Sequence, residues 1–325
     1  MDQREQGMLD CLVVGGGPAG LTAAIYLGRF GRRFLVVDAG DPRAAWIPVS
    51  HNIPFFAGGI PGPDILARQR GHAGQYGTRV LAGTVTGLRK TPNGFVAEVD
   101  EKDGGTRRIE ARRVLLATGS VDVEPDLPDL PDAVRRGLVR YCPICDGYEA
   151  RGSRTAVIGH GARGAGEAGF IARTYSHDVT LLTLGQPMDG LEPERRRRLE
   201  EQGVKIVEQP VAALDVRDGQ IAAIRTGGGQ ELRFDVLYSA LGLKYRTGLG
   251  RALGADHDPE GALLVDSHNQ TSVKGLYAAG DVARGLDQIV VAMGHAAVAA
   301  THIHNRCELP TEEEPDDGTG RSRGA

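Results

Sequence analysis

The most reactive residues of this sequence are two cysteines with two residues between them. Cys142 and Cys145 stand in the heptapeptide YCPICDG. Thiols at this spacing can close a small disulfide ring and open it again, and thiolates in such motifs are commonly more acidic than that of a free cysteine. Asp146 adjoins the second thiol and could pass a proton to a departing thiolate. The stretch therefore indicates reversible thiol–disulfide chemistry.

Half of a zinc site and a structural disulfide are the other interpretations of this motif. The chain has four cysteines, and no second CxxC and no HxxxH pair is present to complete a zinc site. Structural disulfides are rare in a reducing compartment. We therefore expect redox chemistry at this pair and no bound metal. Cys11 and Cys307 are not expected to take part in that chemistry. His295 could act as a base for a dithiol substrate, although a packed or solvated histidine is the simpler expectation.

A glycine loop of the form GxGxxG begins at Gly15 and ends at Gly20. It follows a predicted strand, Leu9–Val14, and it opens a predicted helix, Leu21–Gly28. In such a loop the first glycine allows a tight turn, the second lets the backbone approach a pyrophosphate, and the third lets the helix pack on the strand. The pyrophosphate then lies at the positive end of the helix. The loop predicts dinucleotide binding through Gly15, Gly17, Pro18, Ala19 and Gly20.

Asp38 strengthens this prediction, because it ends the next predicted strand, Phe34–Val37. A carboxylate at that position can accept hydrogen bonds from an adenosine ribose. Strand, loop, helix and acidic residue thus follow one another in the order that dinucleotide binding requires. A glycine-rich turn without a ligand is the alternative.

A second GxGxxG lies between the predicted strands Thr155–Ile158 and Val179–Leu184. It predicts either a site for NAD(P)H or an inherited loop that has lost that use. The run from Leu182 to Gln186 carries neither a cation for a 2′-phosphate nor a carboxylate for a ribose. Arg195–Arg198 is flanked by glutamates and predicts a solvated helix with ion pairs. NAD(P)H therefore stays open, and the loop residues concerned are Gly159, Gly161, Ala162, Arg163 and Gly164.

The composition excludes several functional classes. A chain of 325 residues is above the usual size of one domain, so two domains are expected. A net charge of −4 leaves no basic surplus for nucleic acid or an anionic membrane. Met1–Leu9 does not have the apolar character of a signal peptide, and no apolar run is long enough to span a bilayer. A cytoplasmic protein is the expectation.

The elements that position these motifs form two similar halves. Each glycine loop sits in a βαβ unit, which is followed by a strand-rich stretch and by an apolar strand that closes in a glycine turn. The remainder of the chain has no phosphate loop and is expected to rejoin the first unit. The sequence predicts an α/β fold of two Rossmann-like three-layer domains. The boundaries are 1–119 and 244–308 for the discontinuous first domain, 120–243 for the inserted domain with the CxxC, and 309–325 for a flexible acidic tail.

The order GGGPAG, ATG, CPICDG, second GxGxxG and AAGD resembles the low-molecular-weight thioredoxin reductase family over nearly the whole chain. The resemblance implies that the first loop binds FAD, that Cys145 faces the flavin, that Cys142 meets substrate and that Asp146 is the acid–base residue. It implies homodimers. It also implies further flavin contacts at Asn52, Thr118, Gly119, Gly280, Asp281 and Gln288.

Two departures from that family keep the reaction open. The uncharged Leu182–Gln186 differs from family members that use NADPH, and the ending Asp146-Gly147-Tyr148-Glu149 is more similar to dithiol oxidases and to reductase-like flavoproteins independent of NADPH. We expect FAD-dependent exchange of electrons with a thioredoxin-like protein or a small-molecule dithiol or disulfide. The alternatives are a dithiol oxidase that passes electrons to oxygen and a non-catalytic redox or nucleotide sensor. The sequence does not set the direction of the reaction.

Overall fold

The computed structural model describes residues 7–125, 134, 136, 139–217 and 220–309. The predicted acidic tail therefore lies, apart from Leu309, outside the described residues. The chain divides into two compact units. Unit 1 comprises Met1–Ala45, Pro63–Val121 and Tyr245–Ala325, and unit 2 comprises Trp46–Gly62 and Asp122–Lys244. Among the described residues, no helix has the length and apolar character needed to cross a membrane.

Strands and helices alternate along the chain. The strands are β1 (Leu9–Val14), β2 (Phe34–Asp38), β3 (Val80–Thr91), β4 (Gly94–Glu101), β5 (Thr106–Leu116), β6 (Ser120–Asp122), β7 (Val139–Arg140), β8 (Thr155–Ile158), β9 (Val179–Leu182), β10 (Lys205–Val207), β11 (Val211–Arg217), β12 (Gln220–Thr226), β13 (Glu231–Leu232), β14 (Val236–Ser239), β15 (Leu243–Tyr245) and β16 (Leu276–Ala278). The helices are α1 (Pro18–Arg29), α2 (Gly62–Gly74), α3 (Pro143–Asp146), α4 (Gly161–Thr174), α5 (Pro193–Glu201), α6 (Gly248–Ala252) and α7 (Ile289–Arg306), and a 3-10 turn covers Arg43–Trp46.

Unit 1 is built on a parallel sheet. Strand β1 pairs with both β2 and β5, and β5 pairs with β16. The central parts of these strands, such as residues 12–14, 36–37 and 114–116, are apolar and buried because both faces of the sheet are covered. Residues of α1 and α7, among them Leu27 and Ile303, form the core on one face. The antiparallel β3, β4 and β5 contribute Val85, Phe95 and Ile109 to the core on the other face.

The carboxyl ends of these parallel strands position the first predicted site. In register, Val14 lies beside Val37 and Leu116, and Leu116 lies beside Ala278. The loops after β1, β2, β5 and β16 therefore leave the sheet at one edge, where ligands of open α/β sheets bind. Every predicted dinucleotide contact except Asn52 lies in or next to these loops.

Unit 2 repeats this architecture. Its parallel sheet has the strand order β10-β9-β8-β14-β7, and β11, β12 and β13 form an antiparallel patch. Ala165 and Ile171 of α4 pack on one face of the sheet, and Ile224 and Phe234 belong to the core on the other face. The predicted α/β class with two Rossmann-like three-layer parts is confirmed.

Matching backbone hydrogen bonds close the two glycine loops. Gly15 N–H donates to the carbonyl of Val37 at 2.8 Å, and Gly159 N–H donates to the carbonyl of Leu182 at 3.0 Å. In the same way, the N–H of Ala117, after β5, donates to the carbonyl of Val14 at 2.8 Å. The N–H of Ala240, after β14, donates to the carbonyl of Ile158 at 2.7 Å. The two loops can therefore be aligned residue by residue, so that Asp38 corresponds to Thr183 and Ala23 to Glu167.

Candidate redox-active site

Two glycines of the first loop are required by the protein itself. Gly15 has φ +111°, and a Cβ there would lie 2.2 Å from the carbonyl oxygen of Ala117. A Cβ on Gly20 would lie 1.8 Å from the carbonyl oxygen of Gly15. These positions serve the tight turn and the close packing of α1 on β1, as the motif predicts.

Gly17 differs, because the protein leaves space beside it. Its φ of −79° suits any residue, and the nearest described atom to an added Cβ would be Pro42 Cβ at 3.8 Å. Gly17 is also the N-cap residue of α1, whose first backbone N–H groups have no partner within the helix. An open space at a positive helix end fits a pyrophosphate group. Packing within the protein therefore does not require glycine at this position, which fits the predicted contact with a pyrophosphate.

Asp38 holds the loop from the end of β2. The N–H of Gly16 donates to Asp38 Oδ1 at 3.0 Å, and a Cβ on Gly16 would lie 2.5 Å from the carboxyl group. Arg70 reaches the other oxygen at 3.5 Å. A carboxylate has about four lone-pair positions, so Asp38 can hold the loop and still accept a hydrogen bond from a ribose. The sequence analysis missed the role of Gly16, although its place in the middle of three consecutive glycines was a signal.

Asp281 follows β16 and is held by two residues that the sequence analysis missed. Ser120 Oγ donates to Asp281 Oδ2 at 3.1 Å, and Arg43 Nη1 approaches the same oxygen at 3.3 Å. The preceding Gly280 has φ +78°, and a Cβ there would lie 3.1 Å from Ala19 Cβ at the start of α1. The loop after β16 thus packs directly against the first glycine loop. The arrangement leaves Asp281 at the edge where the predicted dinucleotide would lie.

Three other predicted flavin contacts take part in hydrogen bonds within unit 1. Thr118 Oγ1 donates to the carbonyl of Arg246 at 2.7 Å, and the N–H of Arg246 donates to the carbonyl of Gly119 at 2.9 Å. Gln288 is the buried N-cap residue of α7, and its Nε2 donates to the carbonyl of Asp287 at 3.1 Å. Thr118 and Gly119 thus anchor the returning chain at the edge of the sheet.

His295 lies in α7, and its Nδ1 is buried without a hydrogen-bond partner in the part of the chain that the structure describes. Burial lowers the pKa of this imidazole, which favours the neutral form. Across the described ranges, no group of three or more His, Cys, Asp or Glu residues is arranged to hold a metal ion.

The cysteine pair lies in unit 2, at the start of α3. Cys142 and Cys145 form a disulfide with their Cα atoms 5.3 Å apart. Cys142 is the N-cap residue of the helix, and Cys145 N–H donates to its carbonyl at 3.0 Å. Gly147 ends the turn, and a Cβ there would lie 2.4 Å from both the Tyr175 ring and the carbonyl of Pro143. The pair is therefore held in one short turn, and the side chain of Ile144 between the two cysteines is exposed.

Asp146 is enclosed by side chains from two neighbouring strands. Tyr238 of β14 donates from its hydroxyl group to Asp146 Oδ1 at 2.9 Å. Arg140 of β7 donates to the Asp146 carbonyl at 2.8 Å and approaches Oδ2 at 3.5 Å. Burial raises the pKa of the Asp146 carboxyl group, while Arg140 and the Tyr238 hydrogen bond act in the opposite direction. The sequence analysis missed both partners.

Asn52 belongs to the same compact unit as the cysteine pair. Its Nδ2 donates to the carbonyl of Ile144 at 3.5 Å, and its Oδ1 accepts from Ser50 Oγ at 3.0 Å. The neighbouring His51 has its Nδ1 3.6 Å from Glu149 Oε1. The segment that was expected to border a flavin therefore also contacts the CxxC turn. The sequence contained no signal for this contact, because it joins distant parts of the chain.

The second glycine loop has a different turn. Here the positive φ belongs to the central glycine, Gly161, at +57°, and a Cβ there would meet no described atom within 4 Å. A Cβ on Gly164 would lie 2.5 Å from the carbonyl carbon of Gly159. The open side at the start of α4, whose N-cap residue is His160, leaves room for a phosphate group.

Thr183 and Leu184, which follow β9 at the second loop, are uncharged. Thr183 is fully buried, and no described residue bonds its hydroxyl group, while Leu184 has φ +56°. Arg198 forms the predicted ion pair with Glu194 at 3.1 Å. Arg195, by contrast, donates to the carbonyl of Ala162 in the loop at 3.0 Å. It is the residue of the arginine run that reaches the loop.

Comparison with known proteins agrees with these motifs. The sequence matches the pyridine nucleotide-disulphide oxidoreductase family over residues 9–296. One component of the alkyl hydroperoxide reductase of Xanthomonas campestris pv. phaseoli is 31% identical over 301 residues, which cover 90% of this chain and 56% of that protein. The thioredoxin reductase of Listeria innocua serovar 6a is 26% identical over 313 residues, which cover 94% and 95%. The crystal structure of thioredoxin reductase from Streptococcus pyogenes MGAS5005 superposes with a TM-score of 0.83 at 25% identity, covering 93% and 98%.

The chain therefore belongs to the pyridine nucleotide-disulphide oxidoreductase family, and within it to the thioredoxin reductase-like group. It spans little more than half the length, 56%, of the alkyl hydroperoxide reductase component. Membership makes it an FAD-dependent oxidoreductase and implies NAD(P)H as the second substrate. The predictions of family, fold class and FAD are thereby confirmed, and the use of NAD(P)H, which the sequence left open, is supported by the family.

Proposed function

We propose that this protein exchanges two electrons between FAD and a dithiol or disulfide substrate through Cys142 and Cys145. The observation that carries the proposal is the Cys142–Cys145 disulfide in one turn with a carboxyl group, that of Asp146, directly after it. The substrate is a thioredoxin-like protein or a small-molecule dithiol or disulfide. We also propose the domain boundaries 1–119 with 244–308 and 120–243, a homodimer, and a place in the cytoplasm.

Two successive thiol–disulfide exchanges would transfer the electrons between this chain and its substrate. The Cys142 thiolate attacks a substrate disulfide, and the departing substrate sulfur takes the proton of Asp146. Cys145 then gives its proton to Asp146 and attacks the Cys142 sulfur, which releases the second substrate sulfur with that proton. One substrate disulfide becomes two thiols, and the Cys142–Cys145 pair becomes a disulfide. The dithiol would be restored by two electrons from reduced FAD; in the opposite direction, oxidised FAD would take up the two electrons of the dithiol, which becomes the disulfide again.

The residues of unit 1 would hold the cofactor. Gly17 and the first N–H groups of α1 suit the pyrophosphate, and Asp38 suits the adenosine ribose. We propose that Asp281, kept in place by Ser120 and Arg43, contacts the ribityl–pyrophosphate region. Thr118, Gly119, Gly280 and Gln288 complete the flavin contacts proposed in unit 1. Asn52, which belongs to unit 2, is proposed as a further flavin contact on the resemblance alone.

Substitution of each cysteine tests this function. If Cys145 faces the flavin, Cys142→Ser leaves a lone thiolate against the oxidised ring and should show a long-wavelength charge-transfer absorption. Cys145→Ser should show none, and both variants should lose turnover with dithiol and disulfide substrates, because the exchange needs both sulfurs. Cys11→Ser is the matched control, since its thiol is fully buried in β1. The absorption in Cys145→Ser would reverse the roles, and full turnover in either CxxC variant would refute the proposal.

Anaerobic mixing separates this proposal from its alternatives. Bleaching of the flavin by NAD(P)H supports a reductase. Bleaching by a reduced dithiol, followed by recovery with oxygen, supports the dithiol oxidase, which the uncharged surroundings of Thr183 and Leu184 favour. Bleaching by neither supports a sensor and contradicts the proposed exchange.

A further inference from the structure

We propose that Tyr238 and Arg140 are positioning residues, which hold the Asp146 carboxyl group for proton transfer at the Cys142–Cys145 pair. The inference rests on the proposed acid–base role of Asp146. It concerns how a carboxyl group with restricted access to solvent is kept both oriented and able to ionise.

The register of two strands places these partners. In unit 2, β7 and β14 are parallel neighbours, and Arg140 lies directly beside Tyr238. Tyr238 is 1% exposed, so its hydroxyl group has little access to water. That group donates to Asp146 Oδ1 at 2.9 Å, and Arg140 lies 3.5 Å from Oδ2. One residue from each of the two strands therefore engages one oxygen of the carboxyl group.

Arg140 also secures the backbone at the same residue. It donates to the carbonyl of Asp146 at 2.8 Å, at the last residue of α3. The short helix that carries both cysteines is thereby tied to β7, which leads into the motif. A side chain that bonds both the backbone and the carboxyl group of one residue restricts its rotation, as a positioning role requires.

Electrostatics give these contacts a consequence beyond orientation. Burial favours the neutral form of Asp146 and raises its pKa, and nearby Glu149 acts in the same direction. Arg140, the Tyr238 hydrogen bond and His51 favour the ionised form. Tyr238 itself stays protonated, because burial and the neighbouring carboxylate raise its own pKa. Tyr238 therefore acts as a permanent donor and keeps the ionised form of Asp146 accessible.

The variant Tyr238→Phe removes the donor and keeps the ring in the core. A hydrogen bond to a charged group stabilises the charged form, so loss of the Tyr238 hydroxyl group should raise the Asp146 pKa further. An acid with a higher pKa stays protonated to higher pH. The step that needs this proton should therefore persist further into the alkaline range, where Tyr238→Phe becomes several-fold faster than the unchanged protein.

The experiment follows opening of the disulfide in the FAD-loaded protein by dithiothreitol from pH 5 to pH 9, with alkylation and mass spectrometry as the readout. The rate of disulfide opening in each variant is divided by the rate in the unchanged protein at the same pH, so that the ionisation of dithiothreitol cancels. Arg140→Gln should shift the profile in the same direction as Tyr238→Phe. Ser239→Ala is the matched control, since it removes a buried hydroxyl group next to Tyr238 that has no partner among the described residues.

A double-mutant comparison decides whether Tyr238 acts through Asp146. We expect Asp146→Asn to abolish the pH-dependent change in the rate of disulfide opening that Tyr238→Phe shifts. Tyr238→Phe should then have no further effect on that rate when it is combined with Asp146→Asn. If Asp146→Asn changes the profile but Tyr238→Phe does not, the positioning role is refuted and the proposed function stands. If Asp146→Asn leaves the profile unchanged, the acid–base role and the positioning role fall together. A residual shift from Tyr238→Phe in the combined variant also refutes action through Asp146.

Discussion

The two glycine loops of this protein share their backbone hydrogen bonds and differ in their side chains. At the end of the neighbouring strand, the first loop has the carboxylate of Asp38, which holds Gly16, and the second has the buried hydroxyl group of Thr183. In the helix that follows each loop, the fully buried Ala23 of α1 corresponds to Glu167 of α4. The same fold therefore provides one loop completed by an acid at the ribose position and another without it.

The architecture of a nucleotide loop is therefore separable from its selectivity for a particular nucleotide. Turn, helix end and sheet edge come from glycines and from backbone pairing, and they are present twice. Recognition of a ribose or of its phosphate depends on one or two side chains at the strand end. Three experiments test whether the two loops differ in this way.

The largest expected effect is loss of FAD from Gly17→Val. An added Cβ has room in the protein, since Pro42 Cβ would be 3.8 Å away, but the valine side chain would occupy the space proposed for the pyrophosphate. We expect a folded, colourless protein whose affinity for FAD falls by roughly tenfold or more, which corresponds to about 1.4 kcal/mol or more of binding energy. Absorbance at the flavin bands and far-ultraviolet circular dichroism measure the two properties.

Gly161→Ala is the matched variant in the second loop. Its positive φ makes the substitution strained by about 1–3 kcal/mol, yet FAD content should stay at one per chain. A soluble Gly17→Val protein with full FAD content, or loss of FAD from Gly161→Ala alone, would reverse the assignment of the two loops.

A smaller effect is expected for the pyridine nucleotide. Although the family implies NAD(P)H as the second substrate, we predict that NADPH reduces the flavin of this chain slowly, because Thr183 and Leu184 offer no cation to a 2′-phosphate. Loss of one charge-assisted phosphate contact, worth about 1.5–3 kcal/mol, lowers affinity by roughly one to two powers of ten. NADH should be no better, since the ribose carboxylate is missing as well. Anaerobic stopped-flow reduction with each nucleotide is the measurement.

Rapid bleaching at micromolar NADPH would show this prediction wrong. Arg195, which bonds the carbonyl of Ala162, and Arg163 would then be the cations to substitute first. Arg173 is a weaker candidate, because its guanidinium group stacks 5.2 Å from the centre of the Phe170 ring. Arg198→Ala is the control, since this residue of the same arginine run pairs with Glu194.

The smallest effect concerns stability. Burial raises the pKa of Glu167 to about 7, and its Oε1 has no partner among the described residues. Ionisation is therefore easier in the unfolded chain, so this group costs stability increasingly from pH 4.5 to pH 7 and fully above that. We expect Glu167→Gln to stabilise the protein by about 1–3 kcal/mol at pH 8 relative to its effect at pH 4.5. Urea midpoints at both pH values test this, and Glu192→Gln on the exposed surface is the control. A pH-independent difference would contradict it.

Local patterns in the sequence were sufficient for the architecture and for the reactive groups. The strand Leu9–Val14 and the glycine spacing follow from short-range rules, and Cys142, Cys145 and Asp146 are adjacent in the chain. Even the errors were local. Helix α1 begins at Pro18 rather than Leu21, because the loop glycine is itself the cap, and β9 ends at Leu182, because Leu184 turns the chain with a positive φ.

Only the tertiary structure decided which side chains surround the reactive groups. Tyr238 bonds Asp146 across 92 residues of sequence, and Ser120 bonds Asp281 across 161. These pairs depend on the register of parallel strands and on the edge of the sheet at which each loop emerges, and neither leaves a short-range pattern. The sequence by itself therefore determined the chemistry available to this protein, and the packing of distant strands determined how its key carboxyl groups are held and how readily they ionise.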